Sequence, residues 1–177
     1  MKSGLAMDGF RIGGIPVRGD RRGFSLLELL IAVAIILIVS AVAVPNFLRS
    51  RIAANQASAV QSCRVVNSAE ITYVSTYGQG YASALAALGP PSGGAQPSVS
   101  AADYIDSVLV TGAKSGYVFT YTPVNSDGSG NYQGYALSAA PSTPGLTGHA
   151  YYFTDQTYVI RANNAAAASS SDSPIDQ

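Results

Sequence analysis

Glu28 is the only charged residue between Phe24 and Leu48, in a run that reads FSLLELLIAVAIILIVSAVAVPNFL. A charge at bilayer depth costs ~2.5–3.5 kcal/mol on insertion scales, so a lone carboxylate in such a run calls for a partner. No cation within the run supplies one. The composition changes abruptly just upstream, where Asp20, Arg21, Arg22 and Gly23 end a polar, basic stretch. The other residues with chemical potential are scattered. His149 is the sole histidine and has neither a cysteine nor a second histidine beside it to complete a metal site. It forms no nucleophile–base pair at readable spacing either, and reads as an exposed strand-edge residue. Cys63 is the sole cysteine, so no disulfide forms within one subunit, and it reads as a small apolar residue on a helix. Asn125-Ser126-Asp127-Gly128-Ser129-Gly130-Asn131 places oxygens at alternate positions, like the first half of a calcium loop with Asn125 and Asp127 as candidate ligands. Such a loop needs a bidentate acid at its twelfth position, which here is Ala136, so a hairpin turn is the better reading. The residues show no catalytic set, and an enzyme is not expected; nor is a resident cofactor.

Charge distribution narrows the class further. Residues 1–23 hold Lys2, Arg11, Arg18, Arg21 and Arg22 against Asp8 and Asp20, a net +3. The remainder holds five basic and eight acidic side chains, a net −3. A basic start before a long apolar run fits an insertion or export signal whose N-terminus stays in the cytoplasm. Beyond Arg64 the body carries only Lys114 and Arg161 as cations, which excludes a basic stripe for nucleic acid.

The elements that must position these residues follow from periodicity. Residues 1–23 carry scattered charges and glycines and no structural pattern, and Met7 offers an alternative start. Residues 24–48 form a hydrophobic half-helix of ~37 Å, long enough to cross a hydrocarbon core of ~30 Å with some tilt. Residues 49–78 continue it as an amphipathic half, with Ile52, Ala59, Cys63, Val66 and Tyr73 at helical spacing and Val60, Ile71 and Val74 widening the stripe. Gly78-Gln79-Gly80 ends the helix after Tyr77. Pro45 interrupts it, losing a backbone bond toward residue 41 and kinking the chain there. Residues 79–116 read as a connection with short helices at Tyr81–Leu88 and Ala101–Val110, the second led by Asp103 and Asp106.

Residues 117–163 carry strand signals at Tyr117–Thr122, closed by Pro123, and at Tyr132–Ala140. A third and fourth at Ala150–Thr154 and Thr157–Arg161 flank Asp155-Gln156, and the short links demand antiparallel pairing. Residues 164–177 are low in complexity and read as a disordered tail. The fold class is α+β: a long N-terminal helix, membrane-spanning in its first half and amphipathic in its second, packed on a small C-terminal antiparallel sheet.

Three signals fit the junction at Gly23. A secretory peptide cut after Ala43 fits Ala41-Val42-Ala43, and a twin-arginine signal fits Arg21-Arg22 before an apolar run. Both discard the helix and leave Glu28 without a purpose, and both make the body an exported soluble binding protein or enzyme. The third is a resemblance. Gly23-Phe24-Ser25-Leu26-Leu27-Glu28-Leu29-Leu30 resembles the class III signal of type IV pilins and of type II secretion pseudopilins.

The resemblance implies the pilin fold and cleavage between Gly23 and Phe24 by a prepilin peptidase that also methylates the Phe24 amine. It implies that Glu28 serves assembly and that Pro45 is the family's helix-kinking proline. The implied partners are further copies of the chain, joined through their N-terminal helices, with the membrane platform and motor ATPase of the assembly machine. The implied location is the inner membrane, single-pass with a cytoplasmic N-terminus, and then a surface pilus filament or a short periplasmic pseudopilus. The resemblance leaves open a pilus subunit or a major pseudopilin, a major or minor subunit, and a role in motility, adhesion, DNA uptake or secretion. Many pilins close a C-terminal loop with a cysteine pair, which this chain lacks. Major pseudopilins bind calcium in their C-terminal region, which keeps calcium at Asn125 and Asp127 as a minor alternative.

Overall fold

The structure, a computed structural model, describes residues 23–175. Residues 1–22, part of the stretch expected to lack a structural pattern, lie outside that range. Helix α1 runs Leu26–Tyr77 and is followed by single 3-10 turns at Leu85–Leu88 and Ser92–Gly94. Helix α2 (Ser107–Val110) and strands β1 (Ala113–Lys114), β2 (Tyr117–Ser126), β3 (Tyr132–Pro141), β4 (Tyr151–Asp155) and β5 (Arg161–Asn163) complete the order. The chain divides into two compact units, Met1–Ala41 and Val42–Gln177.

In the second unit the helix packs on a five-stranded sheet in the order β1-β2-β3-β4-β5, every neighbouring pair antiparallel. Ala59, Cys63, Val66 and Tyr73 of α1 are buried at a three- and four-residue spacing, which keeps them on one helical face. They meet Tyr117 and Phe119 of β2, Tyr135, Leu137 and Ala139 of β3, and Tyr152 of β4 in one core. The register sets large residues against small ones: Phe119 faces Ala139, and Val118 faces Ala140. Three polar residues of the helix are buried, and one of them, Ser62, bonds back to the Ser58 carbonyl of its own helix. Asn67 and Glu70 point inward, whereas Ile71, expected to widen the apolar stripe, is half exposed. One helical step turns a side chain by ~100°, so Glu70 and Ile71 cannot share a face.

Several boundaries differ from expectation for identifiable reasons. Strand β2 does not close at Pro123 but runs on to Ser126. Pro123 has the same parity as Phe119, whose N–H bonds to Gly112 on the side away from β3. The missing proline N–H therefore falls on the side where β1 pairs only with Tyr117 and Val118. Helix α2 begins at Ser107 rather than Ala101, because Asp103 sits at φ 61° and residues 102–105 bond instead to Ala87, Leu88 and Gly89. Asp106 caps α2, accepting from Leu109 N–H at 2.9 Å, and pairs with Lys114 at 2.8 Å. The last strand begins at Arg161, since Tyr158 at φ 61° bends the chain out of strand geometry.

The segment read as a disordered tail is held over residues 164–175. Arg161 Nη1 donates to the Asp172 carbonyl, and Asn163 Nδ2 donates to Asp172 Oδ1, each at 2.8 Å. Asp172 Oδ2 accepts from the Ser169 N–H and hydroxyl at 2.7 and 2.9 Å. Ile175 bonds back to Ile160 through its N–H and packs against the core. Low complexity hid this because the ordering comes from one aspartate and one isoleucine rather than from a periodic pattern.

Candidate functional site

Gly23, Phe24 and Ser25 precede the first helical turn, and Leu29 N–H opens the helix by donating to the Ser25 carbonyl at 3.1 Å. A Cβ added at Gly23 would meet nothing within 4 Å among the described residues, and its φ lies outside the left-handed region. Packing therefore gives no reason for glycine at this position. Glu28 lies in the first turn of α1, where an acid complements the helix dipole. It is exposed, and the ion pair found among the described residues, Lys114–Asp106, does not involve it.

Every residue from Phe24 to Leu48 is exposed. Leu26, Leu27, Leu29, Leu30, Ile36, Leu37 and Ile38 are each more than half exposed, far more apolar surface than a soluble chain carries without a partner or a membrane. The helix is long and apolar enough to cross a bilayer, and its apolar stretch lies near the N-terminus. Pro45 lies inside α1, and the helix continues across it. Its ring leaves the Ala41 carbonyl without the usual donor, and Ala41 is also the last residue of the first compact unit.

The remaining sequence candidates do not converge on this segment. Asp127 Oδ1 accepts from the N–H groups of Ser129 and Asn131 at 2.8 and 3.2 Å, and Oδ2 accepts from Asn131 Nδ2 at 2.8 Å. Its carboxylate thus ties the β2–β3 hairpin, while Asn125 takes a φ of 55° at the end of the strand. His149 is exposed in the bend before β4. Cys63 is fully buried, and burial pushes its thiol up to about 12, which leaves it protonated and unreactive.

A polar lock between helix and sheet lay outside the sequence reading. Asn67 Oδ1 accepts from the Tyr135 hydroxyl at 2.8 Å and the Thr154 hydroxyl at 3.1 Å, and Asn67 Nδ2 donates to the Tyr158 carbonyl at 3.1 Å. Glu70 bonds to the Tyr121 hydroxyl and the Ala82 N–H, and the Tyr121 ring stacks on that of Tyr135. The available signal was spacing: residues 67 and 70 fall in phase with Cys63, Val66 and Tyr73.

A family model described as the prokaryotic N-terminal methylation motif matches residues 18–44. No curated protein and no solved structure matches the chain. The chain is an α+β protein that carries the class III signal of type IV pilins and pseudopilins. That motif points to a structural subunit rather than an enzyme, and to processing by a prepilin peptidase.

Proposed function

We propose that this chain is the structural subunit of a type IV pilus-like filament, cut between Gly23 and Phe24, methylated at the Phe24 amine and polymerised from the inner membrane. The observation that carries the reading is the class III motif joined to a fully exposed apolar stretch, residues 24–48, with one acid, Glu28, that is unpaired among the described residues. Cleavage leaves Phe24 with an α-amine that is protonated near neutral pH. The amine of an incoming subunit meets the Glu28 carboxylate of a neighbour. Two charges removed from water recover much of their burial cost only when paired with good geometry, so the pair favours one docking register. The surrounding leucines and isoleucines leave lipid and pack helix against helix. Lipid tails are as apolar as leucine, so this exchange gains little hydrophobic energy and relies on close packing. Extraction from the bilayer then falls to a motor ATPase acting through a membrane platform, and the product is a filament outside the inner membrane.

N-terminal sequencing and mass measurement of the mature protein test the first step. Methylated Phe24 supports the filament reading; a mature chain beginning at Val44 overturns it in favour of a secreted soluble protein. The same steps serve a major pseudopilin of a type II secretion system. Imaging of cells separates the two, because filaments extending from the surface mark a pilus.

A further inference from the structure

Glu70 stands in α1 with no part of its side chain exposed. Its two oxygens have separate partners. The Ala82 N–H donates to Oε2 at 3.1 Å, and the Tyr121 hydroxyl oxygen lies 2.6 Å from Oε1. The same tyrosine oxygen lies 2.8 Å from the Ala82 carbonyl. Both tyrosine contacts are of hydrogen-bond length, yet a tyrosine hydroxyl has one proton to donate. The Ala82 carbonyl has none, so that contact takes the tyrosine's proton. The contact to Glu70 then needs a proton of its own.

We propose that Glu70 is held as a neutral carboxylic acid in the folded subunit, closing a ring of hydrogen bonds that joins helix, connection and sheet. Its O–H donates to Tyr121, Tyr121 donates to the Ala82 carbonyl, and the Ala82 N–H donates back to the other Glu70 oxygen. Every donor and acceptor is matched, which an ionised Glu70 does not allow: Tyr121 would turn to the carboxylate and leave the Ala82 carbonyl without that donor. The ring ties α1 to the start of the connecting segment and to β2.

The surroundings favour the neutral form. Tyr73 faces Glu70 from its own helix, Tyr121 from β2, Tyr135 from β3, and Tyr158 from the β4–β5 connection, where it bonds Tyr81. Asp155, at the end of β4, bears on Tyr135. None of these groups is a cation, and Arg64 on the same helix is exposed. Burial raises the Glu70 pKa above the usual carboxylate range; the Ala82 N–H works in the opposite direction, as would a Tyr121 hydroxyl that donated to the carboxylate rather than to the Ala82 carbonyl. A raised folded pKa means that the folded chain keeps a proton the unfolded chain has lost. The stabilisation is fully present below the unfolded glutamate value of ~4.3 and is lost as pH rises through the folded value.

The test uses the full chain, unassembled in detergent, so it stands apart from the filament reading. Glu28 and Glu70 are the only glutamates in the sequence, and carboxyl-13C glutamate in a Glu28→Gln background isolates Glu70. At about pH 6, above the unfolded glutamate value, the infrared spectrum of the folded protein is expected to show the C=O stretch of a protonated acid. That band should vanish on unfolding. Glu70→Gln replaces the O–H by an N–H donor and keeps the carbonyl. Relative to it, the parent's folding equilibrium constant should fall about tenfold per pH unit between the unfolded and folded Glu70 values. A carboxylate band in the folded protein at that pH overturns the proposal, as do parallel stability profiles for the two proteins. If Glu70→Gln fails to fold, the infrared band decides alone.

Discussion

Glu28 is exposed and unpaired among the described residues, while Glu70 is enclosed and bonded on both oxygens. Glu28 was legible because a charge in an apolar run is an anomaly of composition. Glu70 was not, since an acid on an amphipathic helix ordinarily faces water, and its partner Tyr121 lies on a distant strand. Replacing Glu28 by alanine should leave cleavage and membrane insertion intact while reducing filament yield severely, measured as sheared filament against total cellular protein. Normal yield would mean that the carboxylate merely reaches toward the interface. At Cys63, the folded chain should resist thiol alkylation at about pH 8, near the free-cysteine value, and label only on unfolding. Labelling of the native chain at the denatured rate would contradict the burial described here.

At the scale of elements, the register of the sheet depends on contacts between segments far apart in sequence. The Tyr117 hydroxyl reaches the Ala150 carbonyl at 2.8 Å, and a Cβ at Gly148 would collide with that ring. Gly148→Ala should therefore cost ~1–3 kcal/mol, as overpacked sites do, read from chemical denaturation of the unassembled subunit. A stability equal to the parent would show that the ring has room to move. The C-terminal segment is an element in its own right. Removing residues 164–177 strips Asp172 from Arg161 and Asn163 and uncovers Ile160, so the thermal midpoint should fall. An unchanged midpoint would return the segment to the disordered class. Strand existence was legible from alternating aromatic and β-branched residues. The extension of β2 through Pro123 was not, because it depends on which edge the missing N–H faces.

For the whole molecule, the division at Ala41–Val42 separates a first unit whose described residues, 23–41, are all exposed from a second unit that holds the core. The two halves call for different solvents. Deleting residues 24–48 should give a protein that stays in solution without detergent and keeps the sheet signature in circular dichroism. Aggregation of that product would show that the apolar half also supports the fold.

The chain's sequence by itself determined the class III motif at Gly23–Leu30, the apolar half-helix, the end of α1 at Tyr77 and the antiparallel character of the sheet. Each is a local property, written in composition or in a period of a few residues. Only the tertiary structure decided that Asn67 and Glu70 turn inward and that Asp172 and Ile175 anchor the end of the chain. Those outcomes rest on polar groups that become worth burying only when a partner arrives from another segment, a condition that no local pattern contains.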